Sequence, residues 1–261
     1  MEKILLFIPG YNCEKQITRV LGQLDSEVMQ YITEVIVVNN RSTDGTEEAV
    51  LSYIENSTLP LKLLRNNENY GLGGSHKVAF NYAIKNGFDY VVVLHGDDQG
   101  DIHDILPVLG AGNHRSFDCC LGARFMKGSR LGGYSKFRTF GNRVYNWIYS
   151  ISTGRRVYDL GSGLNIYKVD MLKKEFYKQF SDNLMFNCYM LLANSTHKFN
   201  VKFFPITWRE DDQVSNVKLF SQSIRTLKIA TGYFFSFRKR AFLTRDFRVK
   251  KIEEYAATQI I

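Results

Sequence analysis

The chain has 261 residues, of which 44% are hydrophobic and 14% aromatic, enough to fill one large core or two small ones. No uninterrupted apolar run approaches the roughly 20 residues that span a bilayer, and the N-terminal "ILLFIP" is too short for a signal peptide. The net charge of +8 is concentrated: residues 218–251 hold ten Lys or Arg and one acid, Asp246, leaving the remainder close to neutral. Four cysteines, Cys13, Cys119, Cys120 and Cys188, show no CxxC spacing and no disulfide framework, so they are expected as buried thiols in a reducing, cytosolic compartment.

In chain order, "KILLFIPGYN" is a short apolar strand ending in Pro-Gly, and "EKQITRVLGQLDSEV" carries helical spacing. "ITEVIVVNN" is a second strand. "STDGTEEAVLSYIEN" then opens with N-capping residues and acids in its first turn, the signature of a helix start. A third strand, "LKLLRN", leads through the Gly-rich turn "NYGLGG" to the helix "SHKVAFNYAIKNG" and the fourth strand "DYVVVLH". This βαβαβαβ alternation predicts a doubly wound α/β domain with a mostly parallel sheet and helices on both faces. Ligands in such sheets bind beyond the carboxyl ends of the strands. Those ends carry Asn12, Asn39, Asn40, Asn66, Asn67 and the run His95 to Gln99, which should converge on one rim.

The last of these, "HGDDQGD", puts Asp97 and Asp98 at the end of a buried strand. Two carboxylates and an amide carbonyl on a tight loop are hard oxygen donors that suit Mg²⁺ or Mn²⁺ bridging phosphates rather than zinc. Asp and Gly are also ordinary turn formers after a strand, and that reading stays open on this stretch alone.

The stretches "IPGYNCEKQI", "VVNNRSTDGT", "NYGLGGSHKVAFNYA", "VLHGDDQGD", "GARF" and "VYDLGSGLNIYK" occur in one order and spacing. Together they resemble the family 2 glycosyltransferases with the GT-A fold, in particular the branch of dolichol-phosphate mannosyltransferase and the bacterial polyprenyl-phosphate glycosyltransferases. The resemblance spans roughly residues 3–217. It implies a GT-A domain over 1–217, followed by a basic amphipathic segment over 218–261.

On that resemblance Pro9, Tyr11, Asn12 and Glu14 hold the donor nucleotide, with Gly71 and Gly96 in the same donor-binding set. Asn39 and Asn40 stand where two acids usually contact base and ribose; an amide can still hydrogen-bond a base but has no charge. Asp97 and Gln99 match a metal-binding D-x-D-x-Q pattern in which His95 replaces the first Asp, so His95 is a third candidate ligand. Asp97, Arg124, Asp159 and Arg209 form the expected catalytic set, the two arginines facing donor phosphates with the planar fork that suits them. Arg209, in "WREDDQVSN", is expected on a loop that closes over the donor. Ser135 and Arg138, in "GGYSKFRTFGN", with Ser162 and Gly163, mark the acceptor side.

The resemblance implies an inverting transfer from a UDP- or GDP-linked sugar with Mg²⁺ or Mn²⁺. A lipid phosphate acceptor is already ionised near neutral pH and needs no base, whereas a sugar hydroxyl does. "FSDNLMFNCYMLL" holds Asp182 but no Glu-Asp pair, which favours the phosphate. The alternatives are transfer to a sugar hydroxyl of an envelope glycan, with Asp159, Asp182 or Asp211 as base, and a sugar-nucleotide-binding module without turnover. In the tail, Phe220, Ile224, Leu227, Ala230 and Phe234 share a helical face opposite Lys218 and Arg225. An anionic membrane surface at the cytoplasmic side suits that pattern better than nucleic acid. A helix packed on its own domain with a solvated basic face is the other reading. The oligomeric state, the sugar and the base are not readable.

Overall fold

A computed structural model describes residues 2–210, 219–250 and 254–261 of the chain. The four expected strands form: β1 (Ile4–Gly10), β2 (Glu34–Asn39), β3 (Leu61–Asn66) and β4 (Tyr90–Leu94). They lie parallel in the order β3-β2-β1-β4. Covered on both faces, such strands read as continuous apolar runs, and alternate residues serve opposite cores. Thus Leu5 and Phe7 of β1 enter one core, while Ile4, Leu6 and Ile8 enter the other.

The helices between them are α1 (Glu14–Gly22), α2 (Ser26–Met29), α3 (Thr46–Glu55) and α4 (Gly71–Lys85). The single helix expected from Glu14 to Val28 is broken, because Asp25 caps α2 by accepting from the Val28 N–H at 3.0 Å. α4 starts at Gly71, inside the stretch read as a turn. The carbonyl of Asp182 accepts from Gly73 N (2.6 Å) and Gly74 N (3.2 Å), which supplies the partners that α4's first amides need.

The chain continues through α5 (Leu106–Gly110), β5 (Cys119–Ala123), β6 (Arg130–Gly132), α6 (Lys136–Thr153), β7 (Leu164–Lys168), α7 (Val169–Leu172), α8 (Phe186–Thr196), β8 (Val201–Pro205) and β9 (Thr207–Arg209). It ends with α9 (Leu219–Phe234), α10 (Lys239–Leu243) and β10 (Ala257–Gln259). The main sheet has eight strands in the order β10-β3-β2-β1-β4-β7-β5-β8; β7 and β10 run antiparallel to their neighbours, and β6 pairs with β9 in a separate ribbon. The four cysteines are buried free thiols.

The described part of the C-terminal segment packs onto the sheet and helices that precede it. β10 pairs with β3, and Tyr255 lies in the core beside α4. α9 buries Thr226, Ile229, Ala230 and Tyr233, its backbone accepting from Tyr145, Tyr149 and Ser152 of α6. The apolar face expected for the tail is therefore divided: Ala230 points into the protein while Ile224, Leu227 and Phe234 stay exposed. Lys218 and the side chain of Phe220 lie outside the described residues. Among the described residues, no helix is long and apolar enough to cross a membrane.

Candidate active site

The strand ends converge on one rim, and there the adjacent aspartates separate in role. Asp98 has a left-handed backbone (φ 57°), uncommon outside glycine, and a buried side chain. Its carboxylate accepts from Arg19 Nε at 2.7 Å, Gln23 Nε2 at 3.0 Å and Arg209 Nη2 at 3.2 Å. Asp98 is thus the fastener of its loop. Asp97 is half-buried and forms none of these bonds. Its hydrogen bond among the described residues is a long one, 3.4 Å from Gln99 N, and burial pushes its pKa up to about 6.

His95 directly follows the end of β4. Its Nε2 is buried without a partner, its ring lies 6.2 Å from His76, and its Nδ1 lies on the spot a side chain at Gly163 would occupy. Burial, then the charge of Arg124, pulls the His95 pKa down to about 4, so the ring is neutral. The His95 ring is thus a neutral, half-buried imidazole packed between His76 and Gly163. Among the described residues, no three His, Cys, Asp or Glu gather as a metal cage. What remains is one carboxylate, Asp97, and the neighbouring Gln99. This set fits Mg²⁺ or Mn²⁺, which are commonly held by one or two carboxylates together with substrate phosphates.

Arg124, just beyond β5, is gripped by Asp159. Nε and Nη2 donate to the two carboxylate oxygens at 2.8 Å each, and the backbone N–H of Arg124 adds a third bond at 2.8 Å. Nη2 also donates to Gly161 O, and the guanidinium lies 4.7 Å from the Trp208 ring and 5.1 Å from Phe125. Asp159, expected as a catalytic acid or base, is the buried counter-ion of Arg124. Arg209, expected on a closing loop, ends β9 and is spent on Asp98, Nε donating to its carbonyl at 3.0 Å. Arg138 donates to Glu210 at 2.5 Å and stacks over Tyr134, while exposed Ser135 precedes α6. Ser162 is buried against Gly122 and faces no open acceptor space.

At the nucleotide end, Tyr11 is exposed, but its neighbours bind one another. Asn12 accepts from Thr43 N at 2.8 Å, and Glu14 accepts from Gly45 N at 3.3 Å. Asn39 donates to Glu47 at 2.6 Å and accepts from Ser42 N; Asn40 donates to Asn69 and accepts from Asn66 and Tyr70 N. Both amides thus organise loops. Gly96 is required by the close approach of Pro9, whose carbonyl lies 2.9 Å from where a Cβ would sit. Gly71 (φ 71°) abuts the Asp182 carbonyl, so α4's first amides face protein rather than phosphate.

Asp182, the other candidate base, is buried with Lys77 at 2.7 Å and accepts from Tyr255 and from the backbone of Val249 and Lys250. Asp211 lies outside the described residues. The fasteners Arg19, Gln23, Lys77 and Glu210 were not singled out in the sequence, and Glu47 with its ion-pair partner Arg65 were equally silent. Only Lys77 carried a signal, as a cation inside an otherwise apolar helix face.

The sequence matches the family described as "Glycosyl transferase family 2" over residues 6–180. It is 26% identical over 176 residues to the undecaprenyl-phosphate mannosyltransferase of Micrococcus luteus, covering 66% of this chain and 68% of that protein. It is 20% identical over 173 residues to the polyprenol monophosphomannose synthase of Mycolicibacterium smegmatis, covering 66% and 64%. The fold is similar to glucosyl-3-phosphoglycerate synthase from Mycobacterium tuberculosis, crystallised with Mn²⁺, UDP and glucosyl-3-phosphoglycerate, at TM-score 0.62, 14% identity and coverage of 88% and 80%.

Proposed function

Since this chain belongs to glycosyl transferase family 2, we propose that it transfers a sugar, with inversion, from a nucleotide-sugar donor to a polyprenyl phosphate. The observation that carries the acceptor is the state of the acids. Asp159 and Asp182, two of the three carboxylates considered as base for a sugar hydroxyl, are each buried against a cation, Arg124 and Lys77. A phosphate nucleophile needs no base, because its second pKa is near 6 and it is already ionised at neutral pH. The names of the relatives, for undecaprenyl-phosphate and polyprenol substrates, agree with that acceptor.

Asp97 and Gln99 would hold a divalent cation, which when bound offsets the charge developing on the leaving nucleoside diphosphate. Arg124 adds fixed positive charge beside them. Its Asp159 fork and the Trp208 ring set the guanidinium plane before substrate arrives, so little reorganisation is needed as the bond breaks. Tyr11 offers an exposed ring at the nucleotide end. The reaction would take place at the cytoplasmic membrane surface, with the basic 218–251 segment drawn to anionic headgroups.

The test is a panel of UDP-, GDP- and dTDP-sugars with Mn²⁺ and either a polyprenyl phosphate or an oligosaccharide acceptor. Transfer to the lipid phosphate alone is expected. Transfer to the oligosaccharide would move the reading to a sugar-hydroxyl acceptor, and donor binding without transfer or hydrolysis would make the chain a binding module.

A further inference from the structure

α6 is amphipathic with its apolar side outward. Phe137, Phe140, Val144, Trp147 and Ile151 recur at spacings of three and four, which places them on one helical face. All five are exposed, Phe137 at 84%, Phe140 at 68% and Trp147 at 65%. The side toward the protein buries Asn146, Tyr149, Ser152 and Thr153, with Ile148 partly buried against the core.

α9 continues this surface. Tyr145, Tyr149 and Ser152 of α6 donate to the carbonyls of residues 223, 226 and 230, so the helices run side by side in the same direction. Both bury one side, Tyr149 and Thr153 on α6 and Ile229 and Tyr233 on α9. Away from those buried sides lie the α6 stripe and, on α9, the exposed Ile224, Leu227 and Phe234. Phe235 and Phe237 follow, also exposed.

The charge around this face selects its occupant. Residues 136–158 and 219–245 contain no Asp or Glu, while Lys136, Arg143, Arg225, Lys228, Arg238 and Arg240 are exposed. A second copy of the chain would bring one such basic face against another, with no acid to offset the repulsion. Aromatic rings rimmed by Lys and Arg match the acyl boundary and headgroups of an anionic bilayer. We propose that α6 and α9 form a membrane-inserting platform, α6 lying in the bilayer plane along about 27 Å, with Phe137, Phe140 and Trp147 in the acyl boundary. This deepens the lipid-acceptor reading and rests on it. It also places the lipid phase beside the site, since Arg138 in α6's first turn is bonded to Glu210, and the neighbouring Arg209 holds Asp98.

Trp147 makes the proposal directly measurable, because the second tryptophan, Trp208, is only 5% exposed. Full-length protein is titrated with vesicles of phosphatidylcholine alone, and of phosphatidylcholine with phosphatidylglycerol. Anionic vesicles should shift the emission to shorter wavelength, brominated acyl chains should quench it, and Trp147→Phe should abolish both effects. Phe137→Ser and Phe140→Ser should each weaken partition about tenfold, from the roughly 1.5 kcal/mol at the low end of Phe burial. Unchanged melting temperatures would exclude misfolding as the cause.

An unshifted Trp147 on anionic vesicles overturns the proposal. So does a shift that appears without lipid in step with dimerisation in the ultracentrifuge, which would assign the face to a second copy. Transfer to a short water-soluble isoprenyl phosphate, assayed without vesicles, separates the two readings. Its absence with Trp147 still inserting removes the acceptor and keeps the platform, and its retention in Phe137→Ser with insertion lost supports both.

Discussion

Asp97→Asn should stabilise the fold while ending transfer. The carboxyl has a folded pKa of about 6 against an ordinary 3.8, because burial penalises its charge. A group raised in this way gives its full stability below about pH 4 and loses it as the pH rises through 6. The gap corresponds to about 3 kcal/mol at neutral pH, and partial exposure reduces this to about 2 kcal/mol. Asparagine cannot ionise, so that cost disappears. For a chain of this length, melting should rise by about 4 °C at pH 7.5 in chelator, and the difference should close near pH 4. Adding Mn²⁺ and a nucleoside diphosphate should raise the melting temperature of the wild type and leave Asp97→Asn unmoved, since only binding to the folded state stabilises it. The readout is a thermal melt across pH, with transfer measured alongside. An Asp97→Asn protein that melts at or below the wild type at pH 7.5 would refute the burial argument, and full transfer in excess chelator would refute the metal.

Arg124→Lys keeps the charge but replaces a bidentate fork with one ammonium, so it should lose about 2–3 kcal/mol, seen as a fall of about 4–6 °C in melting temperature, together with most of the turnover. Equal melting would show that the Asp159 fork does not hold the fold. Lys77→Met strips the buried partner from Asp182 and should cost about 3–5 kcal/mol of unfolding free energy measured by urea denaturation; a much smaller loss would mean that Tyr255 and the 249–250 amides satisfy the carboxylate alone. Arg238→Glu with Arg240→Glu should weaken low-salt sedimentation with anionic vesicles, and wild-type sedimentation would remove the tail from membrane binding. Lys239 is left in place because its Nζ donates to Ser152 O and sits over the Tyr233 ring.

What was legible in the sequence was local. Continuous runs such as "YVVVL" announce strands buried on both faces, and strand ends rich in Asn and Asp announce the rim. What was not legible depends on partners far along the chain. That Asp97 and Asp98 divide their roles follows from Arg19 and Arg209, 79 and 111 positions from Asp98. In the same way the pairing of Arg124 with Asp159, 35 positions apart, and of Asp182 with Lys77 and the amides of Val249 and Lys250 could not be read locally. A carboxylate's residue type says what it can do, while its neighbours decide whether it is free to do it.

α6 shows a different limit. An apolar stripe at spacings of three and four ordinarily marks the side of a helix that faces the core. Here the stripe is outside, and the inner side adds to the core packing of Tyr149 and Ile148 a set of hydrogen bonds: Tyr149 to Thr226 O, Ser152 to Ala230 O, Asn146 to Tyr158 O. Buried hydrogen bonds of this kind, about 1 kcal/mol each when satisfied, keep the helix seated without consuming its aromatic face. Periodicity therefore reports that two sides differ but not which one meets water. The charge does report it, since a segment free of acids has no electrostatic complement of its own. For α6, Arg138 finds its acid in Glu210, while the exposed Lys136 and Arg143 beside Phe137, Phe140 and Trp147 are the charges that the proposed anionic surface would meet.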